Sequence, residues 1–224
     1  MSGKVTSVSP DRYHVPHGTV EAKQHVDLHR KVLMRRNLLR VGVPGPAYVP
    51  YIGDGDIADQ IYRDRRIFGA DLDPDRTAVA EHRLPEADIR VADCDRWPFP
   101  GLDLPLAIAD FDAYGYPYHA FRAFWEHAEK ADRLAMFFTD GQGLNIEWKG
   151  RWHEPDGTLM KAPGFVQGKE GGDMLVRRTT WSRWFVHHIW PWLLSQLGDE
   201  WRPIHRFRYI RGIMVYWGVV IERT

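Results

Sequence analysis

Carboxylates at the ends of apolar runs and a glycine pair are the residues of this chain whose types and spacing can do chemistry. In Val49-Pro50-Tyr51-Ile52-Gly53-Asp54-Gly55-Asp56-Ile57-Ala58 an apolar run ends in two glycines spaced for a tight turn. Glycine lets the backbone approach a ligand where a Cβ would clash. A helical segment follows, and a second apolar run, Ile67-Phe68-Gly69-Ala70, ends in Asp71-Leu72-Asp73-Pro74. A carboxylate at the tip of the second strand of a βαβ unit can accept both hydroxyl hydrogens of a ribose, so the pattern describes a site for an adenosine-like ligand. It does not describe a phosphate cradle: position 58 is Ala where a third glycine would open the helix, and no Lys-Ser/Thr pair follows for a triphosphate. A third apolar run, Ala107-Ile108-Ala109, ends in Asp110-Phe111-Asp112-Ala113-Tyr114-Gly115-Tyr116-Pro117, again acid and aromatic at a strand tip.

The elements that must position these residues alternate along the chain. Strand-like runs fall near 47–52, 66–70, 88–92, 105–110 and 133–139, with helical stretches near 55–64, 74–83 and 117–131. Such alternation predicts a parallel sheet with right-handed crossovers, because parallel neighbours need a long connection. Before it, residues 1–18 read as an irregular arm, and Thr19 to Arg40 as a helix capped by Thr19 and stopped near Gly42. That helix carries His29, Arg30, Lys31, Arg35, Arg36 and Arg40, which read either as a solvated face or as a basic surface for phosphate. After the fifth strand, residues 141–180 are rich in glycine and charge and read as a long loop or small hairpin insertion, expected to act as a lid. An aromatic helix from about Trp181 to Leu197, interrupted at Pro191, reads as core or as a stacking platform for bases. Ile204 to Tyr209 and Ile213 to Ile221, joined across Arg211-Gly212, predict a terminal antiparallel hairpin.

Composition sets the bounds. A chain of 224 residues, 44% of them hydrophobic, can bury one substantial α/β core. Its 30 Lys and Arg balance 30 Asp and Glu, so any nucleic-acid contact must come from local patches. The single cysteine, Cys94, excludes an intrachain disulfide. Neither a signal peptide nor a run of membrane-spanning length is expected, which points to a soluble, cytoplasmic protein. His25 and His29 are spaced i,i+4, but no third ligand is evident and no metal site is expected.

Pro50-Tyr51-Ile52-Gly53-Asp54-Gly55 resembles the D-P-F-x-G-x-G motif of S-adenosylmethionine (SAM) dependent amino-group methyltransferases. Asp112-Ala113-Tyr114-Gly115-x-Pro117 resembles the D-P-P-Y motif of adenine and cytosine amino-methyltransferases, and more closely the D-P-F-G-x-P motif of tRNA guanine-N2 methyltransferases. The resemblance covers roughly residues 45–224. It implies an α/β, Rossmann-like class I methyltransferase domain: a mostly parallel seven-stranded sheet closed by a C-terminal antiparallel hairpin, with residues 1–44 as an N-terminal arm and basic helix. It implies SAM as cofactor and an exocyclic nucleobase amine of RNA or DNA as acceptor. The chain departs from the family at Val49, where many members carry an acid, and at Ala113, which replaces the motif's first proline.

Carried over residue by residue, the resemblance places the cofactor against Tyr51, Gly53, Asp54, Gly55, Asp71, Leu72, Asp93, Cys94 and Asp110, with Asp112 and Tyr114 catalytic. Gly53 and Gly55 would pack on the methionine moiety and ribose, and Asp54 or Asp56 would meet the ammonium group. Asp71 would bind the ribose while Asp73, before a proline, caps the next helix. Asp93 would read the adenine amino group or simply form a turn. The chemistry explains the fourth-strand motif. An exocyclic amine is a poor nucleophile because its lone pair is delocalised, and acceptors aimed at both N–H bonds favour the pyramidal, reactive nitrogen. Asp112 and a main-chain carbonyl would accept, and Tyr114 would stack.

Overall fold

The computed structural model describes residues 27–113, 115–142, 151–161, 184–211 and 214–224. In chain order the elements are α1 (Leu28–Leu39), β1 (Ala47–Pro50), α2 (Asp56–Tyr62), β2 (Ile67–Asp71), α3 (Pro74–Arg83), β3 (Asp88–Val91), β4 (Leu106–Phe111), α4 (Tyr118–His127) and β5 (Lys130–Asp140). A small hairpin of β6 (Arg151–His153) and β7 (Leu159–Lys161) follows, then a π-helical turn (Phe185–Ile189), α5 (Trp190–Leu197), β8 (Trp201–Arg211) and β9 (Met214–Arg223).

Seven strands form one sheet in the order β3-β2-β1-β4-β5-β9-β8. Strands β1 to β5 are parallel where they pair, with Ala47 opposite both Ile67 and Ile108. β9 runs antiparallel to both β5 and β8. The fold class expected from sequence is therefore present, terminal hairpin included. The order reverses between β1 and β4, where the connections leave in opposite directions and open a crevice at the carboxyl ends of the strands.

Both faces of the sheet are covered. Consecutive strand residues point to opposite faces, which is why β4, buried throughout, is apolar at every position but Asp110. Val49, Ile67 and Phe137 pack with Leu38 of α1, Ala58 and Tyr62 of α2 and Ala80 of α3. Tyr48, Phe68, Phe111 and Phe138 pack with Phe121 and Phe124 of α4 and with Ile189, Leu193 and Leu197. Across the β5–β9 register Phe138 stacks on Trp217 at 4.0 Å and 8°.

Two local differences from the sequence reading have physical causes. The aromatic helix is interrupted as expected, but as a π turn in which Trp190 N–H reaches Phe185 O. Pro191 follows directly, in the first turn of α5. The described aromatic carbocycles of the stripe pack in or against the core: Trp184 and Phe185 are buried, and Trp192 packs edge-on against Tyr118 and Phe121. Most of the expected lid, and Thr19 as cap of α1, lie outside the described residues. The described part of the insertion is tied down, since Gln142 accepts from His153 N–H at 2.5 Å and donates to His153 O at 3.1 Å. Among the described residues no helix is long and apolar enough to cross a membrane.

Candidate functional site

The β1–α2 turn is built by departures from ordinary backbone at three alternate residues. Tyr51, Gly53 and Gly55 all have positive φ, at 59°, 54° and 79°. Tyr51 is the one non-glycine among the described residues to do so, and such strain persists only where neighbours hold it. Here Tyr51 N–H donates to Cys94 Sγ at 3.3 Å and Tyr51 Oη donates to Asp95 at 2.8 Å. Gly53 N–H donates to Asp71 Oδ2 at 3.0 Å, so the glycine turn and the tip of β2 are one unit. Asp71 Oδ1 accepts from Asp73 N–H at 3.1 Å. A carboxylate offers about four lone-pair positions, so Asp71 keeps one acceptor site on each oxygen for a diol. Asp73 caps α3, accepting from Asp75 N–H and Arg76 N–H at 3.0 and 3.3 Å.

A cleft of about 470 Å³ opens at the β1/β4 switch point, lined among others by Tyr51, Gly53, Asp54, Asp71, Asp112 and Tyr216. Its opposite wall comes from α1. Lys31 Nζ donates to both oxygens of Asp112, at 2.8 and 2.9 Å, and Thr139 Oγ1 donates to Oδ1 of the same carboxylate. Burial pushes the Asp112 carboxyl up, but Lys31, Arg35 and the hydrogen bonds from Lys31 and Thr139 outweigh it and hold the group below the ordinary carboxylate range. Asp112 is thus an ionised acceptor at the carboxyl end of β4. Lys31 Nζ also lies 5.6 Å from the centroid of the Tyr216 ring, whose hydroxyl donates to Asp27 Oδ2 at 3.0 Å.

Four expectations need correction. Asp110 reaches the lining of the cleft, but its carboxylate is engaged within the protein: it is buried, with Oδ1 and Oδ2 each 2.6 Å from the Arg35 guanidinium and Oδ2 also accepting from Tyr62 Oη at 2.7 Å. Gly55 backs onto α3 and not onto the cleft, since a Cβ there would meet Ala80 Cβ and Leu84 Cδ1 at 3.3 Å. The Cys94 thiol is buried and bonded to Tyr51 N–H and Ala70 O, so its side chain braces the turn; burial pushes its pKa up to about 12. The basic helix is neither a solvated face nor a phosphate surface along its whole length, because Arg35 is 2% exposed and Lys31 faces the cleft.

The remaining expected residues are less perturbed. Asp54 lines the cleft but pairs with Arg76 at 2.9 Å, and Asp56 pairs with Arg83, so neither carboxylate is idle. Asp93 forms the turn after β3, accepting from Asp95 N–H at 3.0 Å. Leu72 is exposed beside Asp71. Val49 and Ala113 both line the cleft. Tyr114 lies outside the described residues. Sequence reasoning missed Lys31, Arg35, Arg76 and Thr139. For the first two a signal existed. Four residues of helix advance about 6 Å and two residues of strand about 6.6 Å, so bases at 31 and 35 match acids at 110 and 112 in spacing.

One buried acid lies apart from this cleft. Asp140, at the end of β5, accepts from Tyr118 Oη at 2.8 Å and Gln142 N–H at 2.9 Å. Burial outweighs these bonds and pushes its pKa up to about 7 from an ordinary 3.8. The folded state therefore keeps a proton that the unfolded chain has released, and stability falls as pH rises from about 4 through 7. Urea denaturation at pH 5 and pH 8 is expected to show a loss of about 2–3 kcal/mol from this group. Asp140→Asn should remove most of that slope; an unchanged slope would place the titration elsewhere.

No protein-family model matches the chain, and no curated protein matches it by sequence. Solved structures do match. Magnesium protoporphyrin IX methyltransferase (ChlM) from Synechocystis PCC 6803, with bound S-adenosylhomocysteine (SAH), superposes at a TM-score of 0.53 with 13% identity, over 94% of this chain and 90% of that one. The fold is that of the class I methyltransferases. The N-methyltransferase NodS from Bradyrhizobium japonicum WM9 aligns at a TM-score of 0.52 with 11% identity, covering 87% of this chain and 94% of its own. The plantazolicin methyltransferase BpumL, in complex with a pentazolic desmethylPZN analog and SAH, gives 0.52 and 11% over 88% and 84%. In this methyltransferase fold the cleft and the strand tips bearing Asp71 and Asp112 fall at the switch point where open α/β sheets bind ligands.

Proposed function

We propose that this chain is a SAM-dependent N-methyltransferase whose acceptor is an exocyclic amino group of a nucleobase in RNA or DNA. The observation that carries the reading is Asp112: an ionised carboxylate at the carboxyl end of β4, facing the same cleft as Asp71 at the end of β2. The residues present fit the cofactor. Asp71 keeps acceptor capacity for the ribose diol, and Gly53 lines the cleft beside Arg76, whose guanidinium stands where a Cβ would. SAM, when bound, supplies a methyl group on a sulfonium that leaves as a neutral thioether. The chain's part is to bind and aim: Asp112 accepts from the acceptor's N–H and holds the nitrogen's lone pair toward the methyl, and Tyr114 stacks on the base.

A second reading, an aliphatic amine of a small molecule or protein, is favoured by one observation. The Asp112 subsite already holds an alkylammonium, that of Lys31, over the ring of Tyr216. A non-catalytic SAM-binding module is the remaining alternative, with Val49 and Ala113 as its motive. Calorimetry should detect SAM and SAH but not NAD, and each should raise thermal stability, by about 2.7 kcal/mol at a hundredfold excess over Kd. Radiolabelled SAM offered to mixed tRNA, single-stranded DNA and a metabolite pool is expected to label nucleic acid. Label only in small molecules selects the second reading, and binding without transfer selects the module.

Asp71→Ala tests the cofactor side. Loss of charge-assisted bonds to the ribose should weaken SAM by roughly 1.5–3 kcal/mol, about 10–150-fold in Kd. Unchanged affinity in a variant of unchanged melting temperature would remove Asp71 from the site.

A further inference from the structure

We propose that Lys31 is itself a methyl acceptor, modified in cis on its Nζ when no substrate amine displaces it from Asp112. The inference rests on the reading that Asp112 holds the acceptor amine. Every group around Lys31 argues that its amine stands in that place. Nζ bonds both Asp112 oxygens, at 2.8 and 2.9 Å, and it is 5.6 Å from the Tyr216 ring. The side chain is 21% exposed and lines the cleft. Its backbone is held in place, because Arg35, one turn later on α1, is locked to Asp110 and donates to Lys31 O at 3.2 Å. A nucleophile fixed in this way reacts as a unimolecular partner, for which effective molarities far exceed any free acceptor.

The step balances without another reactant. Nζ releases one proton to water while Asp112 stays ionised and accepts from the N–H bonds that remain, and the freed lone pair attacks the methyl carbon. The carbon–sulfur bond breaks with its electron pair on sulfur, leaving SAH and N-methyl-Lys31. Methylation keeps the positive charge, so the pair with Asp112 survives. Two N–H bonds remain after the first methyl, enough to serve both Asp112 oxygens. The product expected is therefore monomethyl-lysine.

The test uses the full chain and SAM alone. Intact mass should rise by one methyl group, and peptide mapping should place it on Lys31. The modification should be first order, with a rate constant independent of protein concentration. Lys31→Arg, which keeps a cation for Asp112 but offers a guanidinium in place of an amine, should stay unmodified. Label retained in Lys31→Arg, or an observed rate constant that rises in proportion to protein concentration, overturns the proposal. So does no mass change in a chain that binds SAM by calorimetry and labels an external acceptor; failure to bind SAM at all sinks the underlying functional reading instead. A cofactor-free readout stands beside it. With a water-soluble acylating reagent, Lys31 should label severalfold more slowly in the parent than in Asp112→Asn, and equal labelling would overturn its placement.

Discussion

Asp112→Asn is expected to cut methyl transfer by about 10²–10³ while leaving SAM affinity unchanged. That is the range seen when one preorganised polar group is removed from a reacting centre. The separation of binding from turnover follows from where the carboxylates sit. Asp71 ends β2 and is wired to the glycine turn through Gly53 N–H, whereas the Asp112 carboxylate, just past the end of β4, pairs among the described residues with Lys31, Thr139 and, at 3.8 Å, Arg35. Nothing in the contacts of Asp112 reaches the Asp71 turn, so its loss should not disturb the ribose end of the cleft. Asparagine keeps the shape but offers one acceptor oxygen instead of two, and it cannot hold a cationic partner. Single-turnover assays with labelled SAM, using whichever nucleic-acid or metabolite pool the parent labels, measure the step directly. Full activity in Asp112→Asn would end the amino-methyltransferase mechanism; a parallel loss of SAM affinity would make Asp112 a cofactor residue instead.

The fold was legible because its signals are local. Alternating apolar runs and helical stretches set the parallel core, and Asp73-Pro74 announced the start of α3, which the Asp73 side chain caps. The hairpin was visible in two strand-like runs around Arg211-Gly212. The site was legible only in part, and the reason is that a side chain's partner is not a local property. Asp110 and Asp112 share a strand face and look alike in sequence, and both reach the cleft, yet one is fully buried with its oxygens taken by Arg35 and Tyr62 and the other is partly exposed and bonded to Lys31. What separates them is the docking of α1, a helix whose register against β4 no window of either segment contains. Gly55 makes the same point. Its spacing from Gly53 suggested a shared ligand surface, but α3 folds back behind it and takes up the space.

Arg35→Met is expected to destabilise the protein by about 3–5 kcal/mol, because it leaves the Asp110 carboxylate charged and buried without its counterion. Both oxygens of Asp110 are 2.6 Å from the guanidinium, and the pair is sealed at 3% and 0% side-chain exposure. Tyr62 donates one further bond, which cannot replace a full charge. If the cost is the stranded charge and not lost packing, adding Asp110→Asn to Arg35→Met should recover part of the stability, since the amide is neutral and can still accept from Tyr62. Urea denaturation of the two single variants and the double variant closes that cycle. Equal stability of Arg35→Met with and without Asp110→Asn would show that Arg35 acts by filling space. The pair also carries the site. Arg35 locks the helix turn that holds Lys31, and Asp110 stands two residues before Asp112 on the same face of β4. The double variant should therefore fold better than Arg35→Met yet leave Lys31 free to swing from Asp112. A rise in Lys31 acylation in a refolded double variant would separate the two duties of this buried pair, holding α1 on the sheet and aiming its lysine into the cleft.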